Sequence, residues 1–381
     1  MQALVRALQV WKTWTLASDG GFVYEGEVKM VPARTGPEDR PVRIWSEMLA
    51  ARAAVQSLRR VVLLAPGTGD DALACWPAKF LSALREAGFD VLRFDNRGFG
   101  CSSWPDFQRD PFGIPDLAGD VEQVLAAWGL AASPDSAGPD VHLIGHSMGS
   151  ATVQTVLIRQ FDERERRRRG GENSSTSIPL FCIRSCVSIG GYVGTEACGA
   201  VPACMLSPEI RAFKECMSRG WIWEKNSALA RWQVSNFGKS YQYDAADFER
   251  RKDVCIRRGG LNVNCPHGLI HERAELQPAR RAALRRAVSG WEHAFSHYST
   301  GSLRTLVVHG THDVVVPYRE GQELHEVLRS ACAQERLLVA SGKSLNHIFV
   351  GLESAGHKYH PPEWDQICSH VVAFLSAPAP S

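Results

Sequence analysis

The chain has 381 residues, 44% of them hydrophobic and 22% charged, a composition that excludes a disordered, collagenous or disulfide-scaffold protein. Lys and Arg number 43 against 41 Asp and Glu, so no global positive field would draw the chain to nucleic acid. No stretch approaches the roughly 18 consecutive apolar residues of a membrane span, and the N-terminus carries no continuous apolar run ending in a small-residue cleavage site.

Residues 1–20 read as an N-terminal arm, with Leu4, Leu8, Trp11 and Trp14 at near-helical spacing. Residues 21–30 and 42–49 alternate partially in polarity and read as strands, with Pro32, Gly36 and Pro37 marking the turn of an opening antiparallel hairpin. The character then changes to short continuous apolar runs at 61–65, 91–94, 141–144, 186–189 and 303–308, each ending in a Gly-rich or polar turn. Strands buried on both faces need such runs, because helices cover both sides of a parallel sheet. The expected fold class is α/β, with a mostly parallel, doubly wound sheet.

Between the strands, Ile114, Leu117, Val121, Val124, Leu125 and Trp128 recur at steps of three and four and predict a helix with one apolar stripe. A last helix opens at Pro361 and Pro362 and buries Trp364, Ile367, Val371, Phe374 and Leu375, leaving 376–381 as a flexible tail. Residues 161–177 are charged, then rich in Gly and Ser, and read as a solvated surface loop or a helix end followed by disorder. The Arg run 166–169 has no interleaved aromatic residues on which bases could stack, so no nucleic-acid partner is expected. Residues 195–302 lack buried-strand runs but carry helical stripes and bulky side chains. They read as an inserted helical cap between two parts of one core, 21–194 and 303–375. Met205, Phe213, Trp221, Trp223 and Trp232 of this cap are the expected lining of an apolar pocket.

Eleven cysteines, an odd number without repeating spacing, read as reduced thiols, with Cys182, Cys186 and Cys368 inside apolar runs. One or two disulfides among Cys198, Cys204, Cys216, Cys255 and Cys265 are the other reading. A cytoplasmic location follows from reduced thiols. The alternative is mitochondrial, since the first 18 residues hold Arg6 and Lys12 but no acid. No C-x-x-C pair is present, and no metal or organic cofactor is expected.

Chemistry gathers at the strand ends. Gly145-His146-Ser147-Met148-Gly149 lies between the run 141–144 and a helix-like segment. A serine at such a strand-to-helix apex takes strained backbone angles, and glycines two residues either side let neighbouring backbone pass closely. Ser147 then stands above the sheet at a helix N-terminus, which favours developing negative charge. A hydroxyl needs a base, and the base needs an acid to orient it, in the chain order Ser, Asp, His for this topology. Asp313 follows the run 303–308 at the sheet's carboxyl edge. His357 follows the next predicted strand, 348–352, and is the candidate base, with His360 in reserve. His146 lies inside the elbow, His347 at the wrong edge, and His309 and His312 read as turn residues. An oxyanion hole needs two preorganised donors. Met148 N–H is one, and Thr68 N–H, in the loop Pro66-Gly67-Thr68-Gly69-Asp70, is the other.

These residues resemble the α/β-hydrolase superfamily over most of the chain outside the cap. Asp95-Asn96-Arg97-Gly98-Phe99-Gly100-Cys101-Ser102 looks like its D-x-R-G-x-G-x-S turn, which serves architecture more than chemistry. With residues 306–313 and Gly356-His357 ahead of Pro361-Pro362-Glu363-Trp364, that turn resembles, more narrowly, the aclacinomycin (rhodomycin) methylesterase-like group. The resemblance implies cleavage of a carboxylic ester through an acyl-enzyme, by Ser147, His357 and Asp313, while the bulky cap residues point to an apolar small-molecule ester and no cofactor is implied. Lipase, thioesterase or carbon-carbon bond hydrolase chemistry on the same triad is the alternative. A non-catalytic ligand receptor or scaffold is the alternative of another class. Pro66-Gly67 departs from the family's usual His-Gly, and the cap differs where substrate preference resides.

Overall fold

The protein is described by a computed structural model covering residues 24–33, 35–36, 41–52, 59–68, 72–105, 109–132, 138–170, 178–193, 279–291, 303–313, 315–330 and 346–377. The strands are β1 (Glu27–Pro32), β2 (Arg43–Leu49), β3 (Arg60–Ala65), β4 (Asp90–Phe94), β5 (Asp140–His146), β6 (Cys182–Ile189), β7 (Arg304–Gly310) and β8 (His347–Leu352). The described helices are α1 (Ala72–Cys75), α2 (Ala78–Glu86), α3 (Ile114–Ala127), α4 (Met148–Arg168), α5 (Ala279–Ser289), α6 (Tyr318–Ser330) and α7 (Pro361–Ser376). All eight strands form one sheet in the order β1-β2-β4-β3-β5-β6-β7-β8. β2 runs antiparallel to both β1 and β4, and every pairing from β4 through β8 is parallel.

The continuous apolar runs have a two-sided destination. Along β3, Val61 and Leu63 join a core shared with α3, α4, α5 and α6, while Val62 and Leu64 point the other way into a core shared with α2 and α7. Alternate residues of a strand face opposite sides, so a strand between two helical layers must be apolar at every position. Each such side chain contributes roughly 1.5–3 kcal/mol by leaving water. α3 and α7 open with proline in the first turn and a carboxylate that reaches back to the cap, Asp116 accepting from Gly113 N–H and Glu363 from His360 N–H. Among the described residues, no helix is long and apolar enough to cross a membrane.

Three boundaries differ from the sequence reading. β1 starts at Glu27 because its register ends opposite Met48 of β2. α4 continues through the charged segment to Arg168, held by i,i+3 and i,i+4 pairs from Glu163 and Glu165 to Arg166, Arg167, Arg168 and Arg169. Within the stretch read as a cap, α5 lies against α4 and α6, and Leu284, Ala287, Val288 and Trp291 enter the same core as Val156, Leu157 and Phe161. The N-terminal arm, residues 171–177 and 194–278, and the tail from 378 fall outside the described residues, as do Met205, Phe213, Trp221, Trp223 and Trp232.

The turn after β4 is a structural clasp. Asp95 Oδ1 accepts from Ala72 N–H and Oδ2 from Cys101 N–H, both at 2.8 Å. Ser102 Oγ donates to Asp95 O at 2.6 Å and accepts from Trp45 N–H at 2.9 Å. Arg97 makes a buried two-point pair with Asp120 of α3, at 2.7 and 2.5 Å. These bonds fix the loop that approaches the carboxyl edge beside β3. Cys182, Cys186 and Cys368 are free thiols, and burial pushes the first two up to about 11 and about 12.

Candidate active site

Ser147 links β5 directly to α4 with φ 53° and ψ −118°, a left-handed conformation that a residue with a side chain adopts only under constraint. The constraint is close packing of backbone. A Cβ on Gly145 would fall on Gly149 O, and a Cβ on Gly149 would fall on Ala65 O at the end of β3. Only glycine fits at both positions, so the elbow presses onto the sheet and leaves Oγ at its edge.

His357 Nε2 lies 2.8 Å from Ser147 Oγ, and His357 Nδ1 lies 2.7 Å from Asp313 Oδ2. All three side chains are buried. The loops after β5, β7 and β8 thus bring together residues separated by as much as 210 positions. Asp313 Oδ1 also accepts from the amides of Val315 at 2.9 Å and Val316 at 2.7 Å. Burial alone would raise the Asp313 carboxyl, but the charge interaction with His357 and hydrogen bonds from His309 and His357 hold it well below the usual carboxylate range.

Two further histidines surround this chain of bonds. His309, read from the sequence as a turn residue, belongs to β7 and is fully buried. Its Nε2–H donates to Val316 O at 2.8 Å and lies 3.4 Å from Asp313 Oδ2, so the carboxylate meets a second imidazole. The available signal was its position four residues before Asp313, where a turn can bring the two together. His146 packs beneath the elbow, as its place in the motif suggests, with Nε2 donating to His357 O at 3.3 Å and Nδ1 3.8 Å from Cys75 Sγ. His360 caps α7 and His347 starts β8 at the far edge.

Thr68 is half-buried in the turn after β3. Its neighbour Gly67 lies against the elbow, where an added Cβ would be 3.0 Å from His146 Nδ1 and 3.2 Å from Ser147 Cβ. Met148 opens α4, so its amide is among the first four of the helix, which have no intrahelical acceptor. An apolar cluster of Phe99, Phe112, Ile114, Leu117, Met148, Ala151, Tyr192 and Val316 packs on the same side as Met148. A serine hydroxyl, an imidazole, a buried carboxylate and a helix N-terminus beside an apolar wall can together activate an oxygen nucleophile and stabilise an oxyanion.

A family model described as alpha/beta hydrolase family matches residues 61–369. The chain belongs to the alpha/beta hydrolase family. Within this family it resembles rhodomycin D methylesterase DnrP from Streptomyces peucetius, at 26% identity over 66% of this chain and 77% of that protein. A second rhodomycin D methylesterase, DauP from Streptomyces sp. (strain C5), is 33% identical over 34% of this chain and 38% of its own length. Among solved structures, a bromoperoxidase from Bacillus anthracis superposes with a TM-score of 0.55 at 18% identity, covering 92% of this chain and 100% of that one. An esterase from Exiguobacterium antarcticum gives 0.55 at 16% identity, covering 92% and 99%. At these identities the solved structures establish the shared hydrolase fold.

Proposed function

We propose that the protein is a serine-dependent carboxylic ester hydrolase that works through an acyl-enzyme. The observation that carries this reading is the continuous hydrogen-bonded line from Ser147 Oγ through His357 to Asp313 Oδ2, at 2.8 and 2.7 Å. Ser147 Oγ attacks the ester carbonyl carbon as His357 Nε2 takes its proton. The tetrahedral oxyanion is held by the amides of Met148 and Thr68. The alkoxide leaves with the proton from His357, and a water, deprotonated by the same nitrogen, then releases the acid and restores Ser147. Asp313 keeps the Nδ1–H tautomer and balances the imidazolium. The methylesterase-like relatives support an ester with a small alcohol, and the apolar cluster around Met148 suits an apolar acyl group. We place the cap in 195–278, because α5 belongs to the core layer.

Fluorophosphonate labelling of the wild type and of Ser147→Ala tests the nucleophile. The expected result is a label on the wild type alone, with methyl or p-nitrophenyl ester turnover lowered roughly a millionfold in the variant. Equal labelling of both proteins would overturn the assignment. A labelled wild type that turns over no ester, thioester or carbon-carbon bond substrate would favour a ligand receptor.

A further inference from the structure

Arg280 lies in the first turn of α5, 3% exposed, and the proposed reaction does not use it. Its Nη2 donates to Ala151 O at 2.5 Å and lies 3.4 Å from Gln154 Oε1. Among the described residues, its Nε is buried without an acceptor. Two other buried guanidinium groups, of Arg93 and Arg97, meet the carboxylates of Glu47 and Asp120, whereas Arg304 meets only backbone oxygens of α7 and its C-cap. Among the described residues, Arg280 meets no carboxylate. Burial pushes it down to about 10, opposed by attraction to Tyr192, so it remains a cation at neutral pH. An uncompensated buried charge is costly, and the fold retains this one against the first turns of the helix that begins at the nucleophile.

Nη2 is anchored on Ala151 O, which also accepts Thr155 Oγ1–H at 2.9 Å, and this leaves Nε to meet an incoming acceptor. Ala151 is one helical turn beyond Ser147, about 6 Å along the axis. Ala151 and Tyr192 both belong to the apolar cluster that contains Met148, so the guanidinium borders that wall.

We propose that Arg280, with Tyr192 beside it, forms an anion subsite of the active centre that takes a carboxylate at the far end of the acyl group, making half-esters of dicarboxylic acids the favoured substrates. Arginine suits this role because its planar fork matches a carboxylate and is always charged. The inference rests on the esterase reading of the same site.

The test compares kcat/KM for monomethyl esters of straight-chain dicarboxylic acids of rising length with methyl esters of alkanoic acids of equal length. The wild type should favour the half-ester by about tenfold or more at one chain length. Arg280→Gln should bring the ratio close to one, and Arg280→Lys should keep part of it. Each ratio is taken within one preparation, so a reduced folded fraction cancels. No preference in the wild type, or an undiminished one in Arg280→Gln, would overturn the subsite. Calorimetric binding to Ser147→Ala separates this from the esterase reading. Tighter binding of the half-ester than of the neutral ester supports the subsite even where no ester is turned over, and equal binding overturns it.

Discussion

Asp313 is the most heavily coordinated side chain of the site. Two backbone amides hold Oδ1, and His357 holds Oδ2 with His309 alongside at 3.4 Å. This arrangement serves only an anion, which explains why the carboxyl lies well below its usual range despite burial. Asp313→Asn should lower kcat by roughly 10⁴, because the amide favours the wrong imidazole tautomer. It should also change the pH dependence of stability. A carboxylate with a depressed folded pKa contributes stability above its unfolded value near 3.9 and loses it as pH falls toward the folded value. The unfolding free energies of wild type and variant, measured in urea, should therefore differ most above about pH 5 and converge progressively as pH falls below about 4. A difference that does not shrink as pH falls below about 4 would show that the carboxylate is not held as an anion. Ser147, Asp313 and His357 were legible in the sequence because each follows a parallel, largely apolar strand and so must emerge at one edge. His309 was less legible, since only its spacing of four from Asp313 pointed to it and the turn between β7 and Val316 is what brings the two together.

At the scale of elements, the core strands were legible for the physical reason that two helical layers demand apolar residues on both faces. The β5–α4 elbow was equally legible, because its close packing tolerates only glycine at two positions. What the pattern hid were helices whose apolar face is short. Phe161 is core, and Glu163 and Arg164 are buried, in a segment whose charge suggested solvent. Leu284, Ala287, Val288 and Trp291 keep helical spacing within a long stretch that otherwise lacks strand runs. The elbow supplies the test at this scale. Gly149→Ala would drive a methyl group onto Ala65 O, an atom of the central strand that cannot turn aside. The expected cost is about 1–3 kcal/mol or more, read as a lower urea midpoint at unchanged m-value. Fluorophosphonate labelling should slow as well, because relief of the clash lifts α4 from β3 and displaces Met148 N–H. A variant as stable and as reactive as the wild type would mean that the elbow has room for a methyl group and that close packing is not what strains Ser147.

For the whole molecule, the decisive relation is where the chain leaves the core and where it returns. Gln154 Nε2 donates to Tyr192 O at 3.2 Å, and Gln154 Oε1 lies 3.4 Å from Arg280 Nη2. One glutamine on α4 thus touches both sides of the junction. Val193 is buried in the core before the insertion, and Leu284 of α5 is buried in it after. Both flanks of the stretch thus meet at α4, and a linker of about eight Gly and Ser residues in place of residues 194–278 should span the gap, since such chains reach roughly 15 Å on average. Shortening the loop from its natural length lowers the closure entropy by about 2 kcal/mol, which partly offsets whatever packing the removed segment supplies. The linker variant should unfold in one cooperative transition and still take the fluorophosphonate label at Ser147. Its selectivity among esters of different acyl size should collapse, because the proposed cap goes with the deleted segment while the bond-breaking residues stay. A variant that does not fold would show that the insertion is part of the core, and one that folds with selectivity intact would show that specificity resides in the wall around Met148 and Tyr192.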